Sequence, residues 1–334
     1  MSRTVLSAAP PRAGVAPRTP AATLRAAFEN TGSTRWMMQT IKHHGLDARH
    51  GWRLELELLG DRVRGAWQST EAALAQGLVD LIDTDWISIA RARAGGLPLC
   101  AVAPYGTILG GLVAARGCGI CGLDDLRRRR IGVVRRLDKN WALLRAACAG
   151  RHGFDLQASA IVVESGSKTQ LRDDLRRGLV DAAVLHWQLI PQVLASGEFT
   201  EILDLADLPT ELGADRAPTS FFACHDSLCT ERPRLVQAFA ASLADAVALL
   251  RDDADAWLAA VIGAGAAGHA AAPQVVRALR RKWLRRVCGW GGGNRAADLE
   301  RLLETIVARC GADAAGLERM PPGTFMRDCG WRNP

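Results

Sequence analysis

The sequence predicts an α/β protein of two lobes, each a mixed sheet flanked by helices with a ligand cleft between them, and three observations carry that expectation. Strand-like and helix-like segments alternate in two successive rounds. The rounds echo each other: "LAQGLVDLIDTDW" (74–86) parallels "LRRGLVDAAVLHW" (175–187), each a helix end, Gly, Leu-Val-Asp, an apolar strand and Trp. Two further apolar stretches, 98–104 and 218–224, are placed to carry the chain from one round to the other and back. Two lobes joined by two strands make a hinge, and a hinge makes a cleft. The expected division is a disordered leader (1–22), a discontinuous first lobe (23–105 and 217–334, the latter with a helical C-terminal part) and a second lobe (106–216).

In the first round, LRAAFE (24–29) reads as a strand, and 34–44 as a helix that Ser33 or Thr34 is able to cap. RLELELL (53–59) alternates strictly, the mark of a strand with one half-buried face. A helix over 65–76, a buried strand over 79–83, a helix over 86–93 and a strand over 98–104 follow, a rhythm that calls for a mostly parallel sheet. The second round has strands at 110–115, 130–134, 159–163 and 181–185, with helices at 140–150, 168–177 and 187–195. From 231 onward the chain is helical and Ala/Leu-rich, interrupted by "GAGAAGHAAAP" and "GWGGGNR".

Composition bounds the rest. At 334 residues the chain exceeds one ordinary core, and 49% hydrophobic with 23% charged residues is globular. Of the +7 net charge, much is local: Arg3, Arg12, Arg18 and Arg25 in an acid-free leader, and the run Arg127 to Arg130. No extended basic stripe with interleaved aromatics is present, which argues against a nucleic-acid binder and for a solvated Arg face. Nine scattered cysteines do not resemble a disulfide framework. Cys118-Gly-Ile-Cys121 has the C-x-x-C spacing but no matching second pair, so free, mostly buried thiols and no metal site are expected. No segment reads as a membrane span, and the Pro/Ala/Arg-rich start lacks a continuous apolar stretch, which taken literally is a leader on a cytoplasmic protein.

In open parallel sheets ligands bind beyond the carboxyl ends of strands, where helix N-termini offer free N–H groups. The residues that follow the predicted strands are therefore the candidate site. They are Asn30-Thr31-Gly32-Ser33-Thr34-Arg35-Trp36, Asp83-Thr84-Asp85-Trp86, Arg135 through Lys139, Asn140 and Trp141, then Glu164-Ser165, and His186-Trp187. Four of the ten tryptophans fall at these ends, and the single tyrosine, Tyr105, falls at a predicted hinge. One such Trp is more ordinarily a core residue against the sheet. Four at corresponding places suggest an aromatic-lined cleft, suited to a flat ring or an onium group. Asp83 and Asp85 would face a cationic or donating ligand, or else cap the 86–93 helix. Asn30, Thr31 and Thr34 offer hydroxyls and N–H groups, while Arg35, Arg135 and Lys139 suit a sulfonate, nitrate or carboxylate.

Enzyme motifs are poorer. No H-E-x-x-H, G-x-S-x-G or Walker A loop occurs, and "GWGGGNR" follows a helix, which is wrong for a phosphate cradle. His186 with Glu164 or Asp83 is the one pairing able to do acid/base work.

Four blocks resemble the type II periplasmic solute-binding proteins of ABC transporters, in the branch that holds nitrate, alkanesulfonate, taurine and thiamine-pyrimidine binders. They are "HHGLDARHGWRLELELL" (43–59), "ALAQGLVDLIDTDWISIARARAGGLPLCAVAPY" (73–105), "GLDDLRRRRIGV" (122–133) and "LRRGLVDAAVLHWQLIPQVLASGE" (175–198). The resemblance implies a two-lobed binding protein of the type II fold without cofactor or metal, contacted by ligand at Asn30–Trp36, Thr84–Trp86, Arg135–Trp141, Glu164–Ser165 and His186–Trp187. It implies lobe closure on the ligand, docking on a permease, a monomer and a periplasmic location. The absent signal peptide leaves the cytoplasm as the alternative. A cytoplasmic enzyme of the same fold, in pyrimidine or menaquinone synthesis with His186 as acid/base, is the second expectation, and a sensor domain for a signalling partner the third.

Overall fold

β1 (Ala22–Glu29) and β2 (Trp52–Leu59) lie parallel over their full length, joined through α1 (Ser33–His43) and the single turn α2 (Leu46–Arg49). A short hairpin, β3 (Val63–Arg64) and β4 (Trp67–Gln68), leads to α3 (Ser69–Ala75), β5 (Leu81–Asp85), α4 (Trp86–Ala94) and β6 (Leu99–Gly106). The chain then crosses to β7 (Gly111–Ala115), β8 (Arg130–Val133), α5 (Lys139–His152), α6 (Leu156–Ser159) and β9 (Ile161–Glu164). α7 (Lys168–Arg176), β10 (Ala182–Leu185), α8 (Ile190–Leu194), β11 (Phe199–Asp204) and α9 (Leu208–Glu211) follow, and β12 (Ser220–His225) returns to the first sheet. α10 (Asp226–Glu231), α11 (Pro233–Asp252), α12 (Ala254–Gly263), α13 (Pro273–Trp283), a π-helical turn (Leu284–Cys288) and α14 (Ala296–Cys310) complete it. This computed structural model describes residues 22–64, 67–215, 217–263, 272–288 and 295–326. The expected leader, apart from Ala22, and most of the two glycine-rich interruptions (264–271 and 289–294) lie outside the described residues.

Two five-stranded sheets result, in the orders β2-β1-β5-β12-β6 and β11-β7-β10-β8-β9. Both sheets are mixed, as the expected fold class has it, although the rhythm of the first round alone calls for a mostly parallel sheet. β1 pairs in parallel with β2 and β5, and β8 with β9 and β10, but β12 is antiparallel to β5 and β6, and β7 to β10 and β11. The strands next to the crossings are the ones that reverse direction. β11 was not foreseen; its FTEILD does not alternate, and of its residues Phe199 alone is buried. The echoed segments became β5 and β10, the central strand of each sheet.

Three packed clusters hold these elements. One surrounds Trp86, Trp141 and Leu112 and takes residues from both sheets and from α14. A second lies under α1, α11, α12 and α13, and a third under α7 and α8. α11 has the length and apolarity of a membrane span (20 residues, mean hydropathy 1.3), contrary to the sequence expectation, but packs Leu235, Val236, Phe239, Leu243 and Val247 inward against α1, α2 and α12. The expected grouping of 217–334 with the first sheet does not extend to α14, which packs on α5; there the Arg145 guanidinium donates to the Cys310 carbonyl at 3.2 Å.

The first crossing runs from Gly106 to Gly110 under close constraint. Gly106 has φ +138°, and a Cβ there would overlap the Arg286 carbonyl oxygen; one at Gly110 would overlap the Leu185 carbonyl. Arg286, fully buried, donates Nε to the Leu109 carbonyl at 2.8 Å and pairs with Asp204 at the end of β11. One cation therefore ties both crossings to the π-helical turn.

Candidate functional site

The carboxyl ends of β1, β5 and β10 and the N-termini of α5 and α7 meet around a partly open cavity of about 50 Å³. That is room for a few waters or one small polar group. The first sheet contributes Glu29 at the last position of β1, Asp83, Thr84 and Asp85 on β5, Tyr105 on β6 and Ser220 on β12. The second contributes Asp138 and Lys139 at the start of α5, Lys168 at the start of α7, and His186, Trp187 and Gln188 after β10.

These groups form a dense, half-neutralised field. Lys168 reaches from the second sheet to pair with Glu29 of the first, and the charge of Glu29 outweighs burial to hold the ammonium above its ordinary value. Asp83 accepts a hydrogen bond at Oδ2 from the Tyr105 hydroxyl at 2.9 Å. Burial, and then the negative charge of Glu29, push the Asp83 carboxyl up to about 6. Burial likewise raises the Tyr105 phenol, helped by Asp83. Lys139 donates to the Ser220 hydroxyl, and burial lowers its ammonium. His186 holds Nε2 3.5 Å from Asp138 Oδ2; burial, then the charge of Lys168, lower the imidazole. Burial works to raise the Asp138 carboxyl, but the hydrogen bond and charge of His186, with Arg135 behind, hold it below the ordinary carboxylate range.

Of the residues the sequence singled out, Asp83, Thr84, Asp85, Tyr105, Lys139, His186 and Trp187 border the cavity. The junction of β5 and α4 has three separate duties. Asp85 caps α4, accepting from Ser88 N at 2.9 Å and from the Ser88 hydroxyl at 3.0 Å, while Thr84 donates to Glu71 at 2.8 Å. Asp83 is the one of the three whose carboxyl is left to the cavity side. The strand also extends two residues further than expected, so these groups stand on β5 itself.

The aromatic-lined cleft is corrected. Trp86 and Trp141 are fully buried in the core, the Trp141 indole donating to Gln157 at 3.1 Å. Trp36 packs edge-on against Trp187 (5.8 Å) and Trp257 (5.3 Å). Only Trp187 of the four touches the cavity, and at 1% exposure it presents no open face. First-turn tryptophans on helices that cover a sheet point inward, and the interior outbids the cleft for large apolar surface.

The remaining expected residues have other partners. Arg35 donates to the Asn30 carbonyl, and Thr31 and Thr34 do not border the cavity. Asn140 is a strut, donating Nδ2 to Asp138 at 2.7 Å and accepting Gly110 N–H at 2.8 Å. Arg135 lies buried against Glu71 (3.6 Å) and the Ser88 hydroxyl (3.2 Å). Glu164 accepts from Arg136 N at 2.8 Å, and the Ser165 hydroxyl donates to Asp174 at 2.6 Å. Gly32, Ser33 and Asp138, within the loops already singled out, also line the cavity, and the residues not foreseen are Glu29, Gln68, Ile108, Lys168, Gln188 and Ser220. Glu29 and Lys168 each adjoin a loop already singled out, displaced by one and three residues, so their neighbourhood carried a signal and their side chains did not. Among the described residues no cluster of three metal-type donor atoms occurs in the cavity.

The family model described as NMT1/THI5 like matches residues 63–256, more than half of the sequence. The chain belongs to the NMT1/THI5-like family. Solved structures agree in fold. The periplasmic aliphatic sulphonate binding protein SsuA from Escherichia coli has a TM-score of 0.68 at 17% identity, over 92% of this chain and 94% of that one. The alkanesulfonate-binding protein SsuA from Xanthomonas axonopodis pv. citri, bound to MOPS, has a TM-score of 0.70 at 16% identity, over 92% and 99%. The ligand-binding component of an ABC-type import system from Staphylococcus aureus has 0.67 at 14%, over 92% and 96%. At these identities the likeness establishes the fold, that of the periplasmic binding proteins: two mixed sheets flanked by helices. A search of curated protein sequences found no significant match.

Proposed function

We propose that this NMT1/THI5-like chain is the solute-binding component of an ABC-type importer, and that it holds a small polar solute with an anionic end in the cavity between its sheets. The observation that carries the reading is Lys139. Its buried ammonium faces the cavity, has the Ser220 hydroxyl as its hydrogen-bond partner, and forms no ion pair within 4.0 Å among the described residues. The carboxylates of Asp85, Asp138 and Asp83 act on it only from beyond ion-pair distance, and a buried charge so loosely paired is costly, a cost that a directly contacting anionic ligand group lowers. Across the cavity, the Asp83 carboxyl, which accepts from Tyr105 and has the Thr34 hydroxyl beside it, lines the wall as an acceptor for a donor on the solute. A sulfonate or carboxylate carrying an amine or hydroxyl satisfies both ends. A flat ring or onium group loses support, because none of the four indoles expected in the cleft presents an open face. The size of the cavity fits a solute of few atoms, and a longer one requires the sheets to separate about the two crossings.

The same reading includes a monomer, a periplasmic location and docking on a permease, and it rests on fold likeness to binding proteins. Its test is calorimetric titration with short alkanesulfonates, taurine and small carboxylates. One of these should bind with a 1:1 stoichiometry, and Lys139→Met should lower the affinity by about 10²-fold or more, as expected when a buried charge-assisted contact is removed. Equal affinity in the variant refutes the assignment.

One observation favours a second reading, an enzyme of the same fold. His186 lies on the cavity wall, oriented by Asp138, which is the arrangement of a general acid/base and its orienting carboxylate. Under that reading His186→Asn abolishes turnover of a bound compound while leaving its affinity nearly unchanged. Recovery of the ligand chemically unaltered after long incubation with the parent protein excludes it.

A further inference from the structure

Away from the cavity, at the opposite ends of β6 and β12, three cysteine side chains converge. Cys100 and Cys224 are register partners on these antiparallel strands, so their side chains share one face of the sheet. Cys229 comes down on them from α10, which packs over both strands. The Cys229 sulfur is 3.6 Å from that of Cys100 and 3.2 Å from that of Cys224, and all three lie within 4.8 Å of one another. All three are buried, at 1%, 0% and 4% exposure. An ion bonded to three sulfurs at about 2.3 Å holds them roughly 4 Å apart in a plane. The protein presents three sulfurs spaced close to that value before any ion arrives.

No fourth donor accompanies them. Among the described residues, no His, Asp or Glu atom joins the group. Asp226, three residues before Cys229, gives both carboxylate oxygens to Arg93 at 2.8 and 3.0 Å. His225 directs Nε2 to the Leu74 carbonyl at 3.4 Å. Burial keeps water from completing a shell. A structural zinc site requires four ligands, and this one offers three.

We propose that Cys100, Cys224 and Cys229 form a three-sulfur site for a soft, thiophilic ion that accepts trigonal coordination, of the Cu(I) class. Thiolate donors select such ions, and a dry, sulfur-only pocket protects Cu(I) from water and oxidants. Binding is ligand exchange without redox change. Up to three Cu–S bonds form, the bonds between Cu(I) and its donor chelator break, and each thiol that ligates as a thiolate releases one proton to solvent. The site is separate from the solute cavity and stands or falls without it.

The test is anaerobic titration of the reduced full chain with Cu(I), against a competing bicinchoninate-type chelator. Cys118 and Cys121, a C-x-x-C pair nearer the surface, are first replaced by Ser so that they do not compete. The expected result is one Cu(I) retained per chain, with an X-ray absorption spectrum of three sulfurs and no nitrogen or oxygen. Cys229→Ala, on a short surface helix, should lose that equivalent while keeping the thermal melt of a folded protein. The proposal is overturned by failure to retain Cu(I), by retention unchanged in Cys229→Ala, or by a shell that contains nitrogen or oxygen. The spectrum is read with Cys100, Cys224 and Cys229 all in place, and Cys224→Ala gives a second variant that should lose the same equivalent where Cys229→Ala fails to fold. Preferential retention of Zn(II) over Cu(I) also overturns the assigned class.

Discussion

Asp83 stands on β5 with the Tyr105 hydroxyl as its donor and Glu29 as a like-charged neighbour, in a setting that favours its neutral form. Its folded pKa, about 6, lies above the unfolded value near 4, so between those pH values the folded state binds the extra proton. Stability from this group is therefore full below about pH 4, declines as pH rises through about 6, and stays low above that. Asp83→Asn keeps an oxygen for Tyr105 and removes the titration. It should be more stable than the parent at pH 7 to 8 by on the order of 1–3 kcal/mol, with the advantage vanishing toward pH 4. Thermal melts across that range measure it, and parallel pH profiles for parent and variant would contradict the assigned role. The same substitution, if the cavity holds a donor-bearing solute, weakens binding. Stabilisation with loss of affinity is the signature of a functional carboxyl held at the expense of stability.

The helices α4 and α5 show how one element serves both packing and site. Each begins with an Asp cap at the cavity edge, Asp85 or Asp138, and places a Trp in its first turn against the core. The polar cap and the apolar anchor are one and three residues apart, yet the cap borders the cavity and the anchor lies in the core. Trp141→Ala should cost about 3–5 kcal/mol by opening a cavity in a fully packed region. Urea denaturation measures that loss, and solute affinity at a temperature where the variant stays folded should be nearly unchanged. A large loss of affinity with little loss of stability would restore the aromatic-lined site. The sequence placed both Trp residues at the right ends of the right helices. Helical periodicity alone does not say which way a first-turn side chain points, because that depends on how the helix sits on its sheet.

For the whole molecule, the contact that matters is the one between sheets. Glu29 and Lys168 form an ion pair across the cavity, with side-chain exposures of 8% and 12%. Nearby, the loop before β3 lies on the second sheet's side: Asp61 accepts from Thr169 N at 3.0 Å, and Val63 N donates to the Gly166 carbonyl at 2.9 Å. Glu29→Gln strands the Lys168 ammonium and should cost up to about 3–5 kcal/mol, whereas the double variant Glu29→Gln, Lys168→Met should recover much of it. Denaturant midpoints for the parent, the single and the double variants check this. Additive losses would show that the two side chains do not depend on each other.

The sequence by itself determined the alternation of strands and helices, the two crossings, the echo between the two rounds and the loops from which the site is drawn. All of these follow from local periodicity, caps and apolar runs, which are properties of neighbouring residues. Only the tertiary structure decided which side chains enter the cavity. It turned Trp86 and Trp141 inward, used Asp85 and Asn140 as caps and struts, and brought in Glu29, Lys168 and Ser220 from sequence positions up to 191 residues apart. It also reversed one strand at each crossing and gathered Cys100, Cys224 and Cys229 from two strands and a helix. Burial and charge pairing act between residues distant along the chain, so no local pattern encodes them.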